Sequence, residues 1–291
     1  ELDSFTFMTF ILLIVGLRLG HCLFYEPDEY LKNPIRILFV WEGGLASHGG
    51  AIGLLLSFYL FTRKSTKSFV WIASRAAVVI PFTAACVRLG NLMNSEIYGV
   101  ATHLPWGFVY LRDAVIFTTP ESLADILLQS KLIATNMQEQ LHQFLMLNAQ
   151  VFTKGIPYTE LQHSLVQAGF VAQEKIDVLP HILLQAQLLH PSHPTQIYEA
   201  LVYLSIFGIL MWYYFSRSAK QQVISSYLIL GIAFIGIFGS RFCIEFIKNN
   251  QVAFEQGMQL NMGQWLSIPF ILAGVFFIYV YTKQRKTNTI S

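Results

Sequence analysis

The segment Arg88-Leu-Gly-Asn-Leu-Met-Asn-Ser-Glu-Ile-Tyr-Gly99 gathers a cation, two amides and a carboxylate into a short stretch. The arginine fork is planar, permanently charged and matched to phosphate oxygens. Asn91, Asn94 and Glu96 add hydrogen-bonding groups beside it, and Gly90 and Gly99 permit tight turns or close approach. The same residues also suit a snorkelling arginine next to an Asn-rich turn. Arg241 and Glu245 stand four apart, on one helix face. They form either a structural ion pair or a site pair in which the carboxylate holds the cation. His48 lies in the glycine-rich run Trp41-Glu-Gly-Gly-Leu-Ala-Ser-His-Gly-Gly-Ala-Ile-Gly53. Its titration range suits a general base; a satisfied polar residue is the other reading, and the glycines by themselves suit close helix packing. Arg18 opens another Arg-Leu-Gly and suits a second phosphate contact or, the favoured reading, packing and support; Arg75 reads as an interfacial anchor. These residue types point to an anion, with phosphate chemistry, held at a membrane surface.

The elements that must position them follow from composition. Of 291 residues, 54% are apolar and only 12% charged, with a net charge of +2. That excludes a disordered chain and a nucleic-acid binder, and it places much of the surface against something other than water. Cys22, Cys86 and Cys243 are an odd number, each within an apolar run. They give neither a disulfide framework nor metal-ligand spacing. Six stretches are long and apolar enough to cross a membrane, roughly 5–25, 44–61, 69–88, 197–215, 224–247 and 264–282. No signal-peptide pattern opens the chain. Arg63, Lys64 and Lys67, then Arg217 and Lys220, then Lys283, Arg285 and Lys286 fall on one side if the spans alternate, which makes that side cytoplasmic. Arg88, the pair Arg241 and Glu245, His48, the group His193, Gln196, Tyr198 and Glu199, and the pair Asn261 and Gln264 all reach the other, outer face. Scattered structural polar residues would have no reason to choose one face.

The expected fold is all-α: a polytopic transmembrane helix bundle with a helical extracytoplasmic insert. Residues 1–108 form its first membrane part with the signature segment, 109–190 the insert, and 191–291 the second membrane part. Within the insert, 121–150 and 158–189 read as amphipathic helices, since Leu123, Ile126, Leu127, Leu141 and Leu145 recur at helical steps. Gly155-Ile-Pro157 reads as the turn between them.

Arg88 to Gly99 resembles the signature of bacterial prolipoprotein diacylglyceryl transferases. Trp41–Gly53, His193-Pro-Thr-Gln-Ile-Tyr-Glu-Ala200, Arg241-Phe-Cys-Ile-Glu245 and Asn261-Met-Gly-Gln264 match it too, in order and spacing. The likeness covers about 1–108 and 191–291. It implies transfer of the diacylglyceryl group of phosphatidylglycerol to the lipobox cysteine thiol of a preprolipoprotein, with glycerol phosphate leaving. It implies a multi-pass protein of the bacterial inner membrane, surrounded by membrane lipids, with its site toward the outer face. No metal or cofactor is expected. His48, Arg88, Arg241 and Glu245 are the expected catalytic residues. Arg88, Asn91, Asn94, Glu96, Gly99 and Arg241 are those expected to bind substrate. Val87 stands where the family usually has Gly, and the resemblance implies one more span ahead of Glu1. A lipid-binding or transporting membrane protein, or an inactive homologue that binds lipoprotein precursors, is the alternative. P-loop, Rossmann, Gly-x-Ser-x-Gly and His-Glu-x-x-His motifs are all missing from the sequence.

Overall fold

A computed structural model describes residues 2–24, 26–39, 41, 44, 46–249 and 257–290, apart from the side chains of residues 2, 47, 48, 153 and 288–290. Among the described residues, five helices are long and apolar enough to span a membrane: Asp3–Phe24, Phe69–Met93, Thr195–Ala219, Ser226–Ile247 and Met262–Thr287. They lie in α1 (Leu2–Phe24), α4 (Phe69–Met93), α10 (Thr195–Ala219), α11 (Ser226–Ile244, extended by a 3-10 turn, Glu245–Ile247) and α12 (Met262–Ile290). Between α1 and α4 come the short α2 (Pro27–Lys32) and α3 (Ser47–Thr62). The stretch expected as the sixth span is α3; at 16 residues it is about 24 Å long, short of the ~30 Å of hydrocarbon. Large side chains such as Phe7, Val79, Leu201, Trp212, Leu272 and Phe276 are exposed along these helices, as contact with lipid requires.

The chain divides into two compact units. The first holds Glu1–Val79, Tyr213–Gly231 and Phe277–Ser291. Here α1 and α3 pack as an antiparallel pair. Phe5 meets Phe58 and Phe61, the Thr9 hydroxyl donates to Ser57, and Ala46 N–H donates to the Leu17 carbonyl. A side-chain carbon on Gly16 or Gly49 would overlap the carbonyl of the other, so glycine sets this approach. Arg18 is 2% exposed. Its Nε donates to the Ile37 carbonyl at 2.9 Å and its Nη2 to that of Arg36 at 2.6 Å, while Tyr30 covers its guanidinium. It thus ties the connection after α2 to α1, the supporting role its sequence context suggests.

The second unit holds Ile80–Trp212 and Ile232–Phe276. Its insert contains β1 (Val115–Ile116), α5 (Pro120–Gln129), α6 (Gln138–Leu147), α7 (Ala149–Lys154), β2 (Ile156–Pro157), α8 (Tyr158–Gln167) and α9 (Leu179–Gln185). A single apolar core joins them, built on Ile116, Leu123, Leu127, Leu141, Leu145, Leu161, Leu165, Leu179 and Leu183. Thr119 caps α5 by accepting from Ser122 N–H, ahead of Pro120 at the first helical position. The expected continuous helix over 121–150 is instead broken. Lys131 takes φ 59°, and the Ser130 hydroxyl accepts from Leu132 N–H, so a polar local turn ends α5. The 158–189 stretch breaks likewise at Gly169, φ 76°. Gly155 makes the turn expected of it, and the next two residues pair with β1, Val115 opposite Pro157 and Ile116 opposite Ile156.

Candidate active site

At the C-terminal end of α4 and the start of α10, the second unit collects charges out of water. Glu199 lies one turn into α10 and is fully buried. Its Oε2 meets Arg88 Nε at 2.7 Å, and its Oε1 meets Lys248 Nζ at 3.2 Å. The same Lys248 Nζ lies 3.4 Å from Glu245 Oε2. Lys248 is 5% exposed and Glu245 7%. Buried charges persist only when paired, and this chain of four charges is neutral. Arg241 adds a further cation. It is half-buried in the last turn of α11, acts electrostatically on Tyr203, and has no ion pair among the described residues. Arg88 acts electrostatically on Tyr203 as well.

The helical spacing of Arg241 and Glu245 does not become an ion pair between them. At Glu245 the helix tightens from α to 3-10 geometry, which rotates the carboxylate out of the four-residue register, and Lys248 takes it. Gly263, in the first turn of α12, lies directly against this carboxylate; any side chain there would displace it.

Arg88 continues into the signature segment. Its Nη1 donates to Asn91 Oδ1 at 3.4 Å, and Asn91 Nδ2 donates to Glu96 Oε2 at 3.2 Å. The backbone then turns through Ser95 and Ile97, both at φ 60°. That conformation is strained for a β-branched residue and persists only if its surroundings enforce it. The start of α10 does so: the Thr195 hydroxyl donates to the Ile97 carbonyl at 2.9 Å, and Gln196 Nε2 to that of Glu96 at 2.7 Å. Gly99 follows with its N–H on the His193 carbonyl at 2.8 Å. A Cβ there would collide with the Ile247 carbonyl and the His193 side chain, so the approach of three segments requires glycine. Gly99 therefore seats the Lys248 segment, and Asn249 Nδ2 donates back to the Gly99 carbonyl at 3.0 Å.

Gln196 carries this framework outward. It accepts from the Tyr110 hydroxyl at 2.9 Å, and Tyr110 stacks on Tyr98 at 4.4 Å. The Tyr98 hydroxyl donates to Asp113 at 2.7 Å. Burial, followed by the bond to Asp113, pushes the Tyr98 pKa up to about 12. Burial likewise pushes Tyr110 up to about 12, with the Gln196 bond acting against it. Trp106 and His193 both meet the Tyr198 hydroxyl, at 2.9 and 3.3 Å.

Of the residues singled out in the sequence, Arg88, Asn91, Glu96, Gly99, Arg241 and Glu245 thus belong to one region. Asn94 does not join the network: it is exposed, with its N–H on the Gly90 carbonyl. His48 stands in the opening turn of α3, and its side chain lies outside the described residues. Asn261 and Gln264 form a reciprocal capping box at the start of α12, with bonds of 3.0 and 3.1 Å. Sequence reasoning passed over Lys248 and gave Glu199 no role, although a carboxylate one turn inside an apolar helix demands a buried cation. Among the described residues no three His, Cys, Asp or Glu side chains gather as a metal site.

A sequence profile of the prolipoprotein diacylglyceryl transferases matches residues 1–280, running through the insert as well as the membrane parts. The chain belongs to this family. A phosphatidylglycerol–prolipoprotein diacylglyceryl transferase of Porphyromonas gingivalis is 37% identical over 99% of this chain and 80% of its own length. Those of Tolumonas auensis and Bacteroides fragilis are 33% and 32% identical, over 98% and 99% of the chain and 81% and 80% of their own lengths. Family membership therefore rests on more than the signature blocks, and it covers the 109–190 insert, where the sequence showed no family motif.

Proposed function

We propose that the charge chain Arg88, Glu199, Lys248 and Glu245, together with Arg241, is where this chain performs its family's reaction. The protein is a multi-pass membrane enzyme that transfers the diacylglyceryl group of phosphatidylglycerol to a prolipoprotein. The observation that carries the assignment of the site is the buried Glu199, which holds Arg88 from one side while Asn91 holds it from the other. The fork is thereby fixed before any substrate arrives.

In the reaction the lipobox cysteine sulfur attacks the glyceryl carbon bound to the phosphate ester oxygen. A C–S bond forms, the C–O bond breaks, and its electron pair leaves with glycerol phosphate. Charge develops on the departing phosphate, so a preset cation there lowers the barrier. Arg88 is assigned to that phosphate, and Arg241 to the same anion or its glycerol. Glu199, Lys248 and Glu245 position Arg88. The thiol, with an ordinary pKa of ~8.5, must lose its proton near neutral pH. His48 is the candidate acceptor on chemical grounds, and the positive field is the competing explanation. The loop charges support a site at the outer face of the bacterial inner membrane, with 109–190 as an extracytoplasmic domain.

The test is transfer from phosphatidylglycerol to a synthetic lipobox peptide by the purified full-length chain, read by mass spectrometry. A diacylglyceryl mass increase on the cysteine peptide, none on its serine counterpart, and stoichiometric glycerol phosphate are expected. Tight phosphatidylglycerol binding without transfer would instead support a lipid-binding protein or an inactive homologue.

A further inference from the structure

The first unit contains a cavity of about 530 Å³ that the transfer reaction does not use. It lies among the start of α4, the end of α10, the connection into α11 and the end of α12. Arg217 and Arg285 line it, with six hydroxyl-bearing residues, Tyr213, Tyr281, Ser225 and Ser226 among them. No lining residue is acidic. Behind the wall, the Arg75 Nη1 donates to Ser226 at 3.0 Å, and its guanidinium stacks 4.4 Å over Trp71, itself a lining residue. Among the described residues no carboxylate pairs with Arg75, and its buried Nε has no hydrogen-bond partner.

Positive charge at this end of the spans has a general explanation in membrane topology. Topology asks only for a number of Lys and Arg near the helix ends, and Arg63, Lys64, Lys67, Lys220, Lys283 and Lys286 supply it. It does not ask two arginines and six hydroxyl-bearing residues to line one concavity. That combination is what a phosphodiester requires: forks for the unesterified oxygens and hydroxyls for the remaining lone pairs. The apolar lip selects the source of the phosphate. Val223 is 88% exposed, and Trp71 is 38% exposed, beside the polar lining. A free anion has no use for these residues, whereas acyl chains leaving a headgroup would cover them. Basic pockets between membrane helices are recurrent sites for anionic headgroups.

We propose that this cavity holds the phosphodiester headgroup of an anionic membrane phospholipid, as a bound lipid separate from the lipid that is consumed. Arg217 and Arg285 bind its phosphate, and Arg75 supports the wall through Ser226 and Trp71.

Native mass spectrometry of the full-length chain, released from nanodiscs of mixed phosphatidylglycerol and phosphatidylcholine, tests this. The measurement is made in an Arg88→Ala background, which removes the principal cation of the transfer site, so the outcome does not depend on that assignment. Retention of phosphatidylglycerol over phosphatidylcholine is expected. Arg217→Gln with Arg285→Gln should weaken it ~30-fold, at ~5-fold per basic side chain near the surface. Loss of two topological charges could disturb insertion, so Arg217→Lys with Arg285→Lys is the companion variant. It keeps the charge but not the forks, and should insert normally yet retain less lipid. Equal retention of phosphatidylcholine, or unchanged retention in the lysine variant, would overturn the proposal. Displacement of the lipid by equimolar inorganic phosphate or glycerol phosphate would do so too, since the site would then be one for a free anion.

Discussion

Arg88 is worth more than its charge. Its Nε is committed to Glu199 and its Nη1 to Asn91, so the guanidinium plane is held in one orientation. A lysine offers a point charge on a flexible stem and cannot satisfy both partners. Arg88→Lys should therefore fall nearly as far as Arg88→Ala. Removing a donor that stabilises developing charge commonly raises a barrier by ~2.7–4 kcal/mol, a ~10²–10³-fold loss in kcat. Transfer rates of both variants, in protein shown to be folded by its melting profile, check this; a lysine variant near wild-type rate would reduce Arg88 to a charge. Glu199→Gln should lower kcat through the same fork, because Arg88 and Lys248 would then share only a neutral amide. His48 has a separate signature. If it accepts the thiol proton, His48→Gln should slow transfer by ~10²–10⁴-fold and recover in part as pH rises toward 9, where the thiol ionises unaided. Superimposable pH profiles, with rates within a few-fold of each other, would assign deprotonation to the arginine field.

At the scale of elements, what could be read in advance depended on whether the determinant was local. Apolar length alone predicts α1, α4, α10, α11 and α12, and the Arg88 segment announces itself by its residue types. The pairing of Glu245 with Lys248 rather than Arg241 was hidden, because it follows from a switch to 3-10 geometry at a helix end that periodicity does not encode. The break after α5 was hidden for a similar reason: Ser130 and Lys131 are unremarkable in composition, and only the turn they form ends the helix. Asn261 and Gln264 had the opposite fate. Their spacing is that of a capping box, yet their expected place at the outer face drew attention to the site instead. The segment from Tyr98 to Asp113, which leads from the site to the insert, offers a pH test. Tyr98 and Tyr110 titrate at about 12 in the folded protein, against about 10 in an unfolded chain. The raised values mean that folding favours the neutral phenols. That stability is complete below pH 10 and is lost as pH rises from 10 to 12. Denaturation midpoints across this range should fall for the wild type and fall less for Tyr98→Phe with Tyr110→Phe. Parallel curves would mean that other groups govern alkaline unfolding.

For the whole molecule the open question is which way it sits in the bilayer, and α3 decides how the charges are counted. A 16-residue helix is short for a span, and if it did not cross, the alternation of the first helices would fail. Its partner answers this. Phe5 near the start of α1 meets Phe61 near the end of α3, and Gly20 meets Gly49 at the other end, so α3 retraces α1 as the return arm of a hairpin. The start of α1 and the Arg63–Lys67 connection then share one end of that hairpin. If α4, α10, α11 and α12 each cross once, as their length and composition allow, Arg217, Lys220, Lys283, Arg285 and Lys286 share one side of the membrane. The concentration of Lys and Arg predicts that this side is cytoplasmic. Single cysteines placed at Gln167 in the insert and Gln221 in the basic connection discriminate, since both positions are exposed. Cys86 and Cys243, which are exposed thiols, should first be changed to alanine. A membrane-impermeant maleimide applied to intact spheroplasts should label Gln167→Cys and spare Gln221→Cys until the membrane is opened. The reverse pattern would invert the protein and move the Arg88 site to the cytoplasmic face. Labelling of both in intact spheroplasts would mean that α10, the one candidate span between them among the described residues, fails to cross.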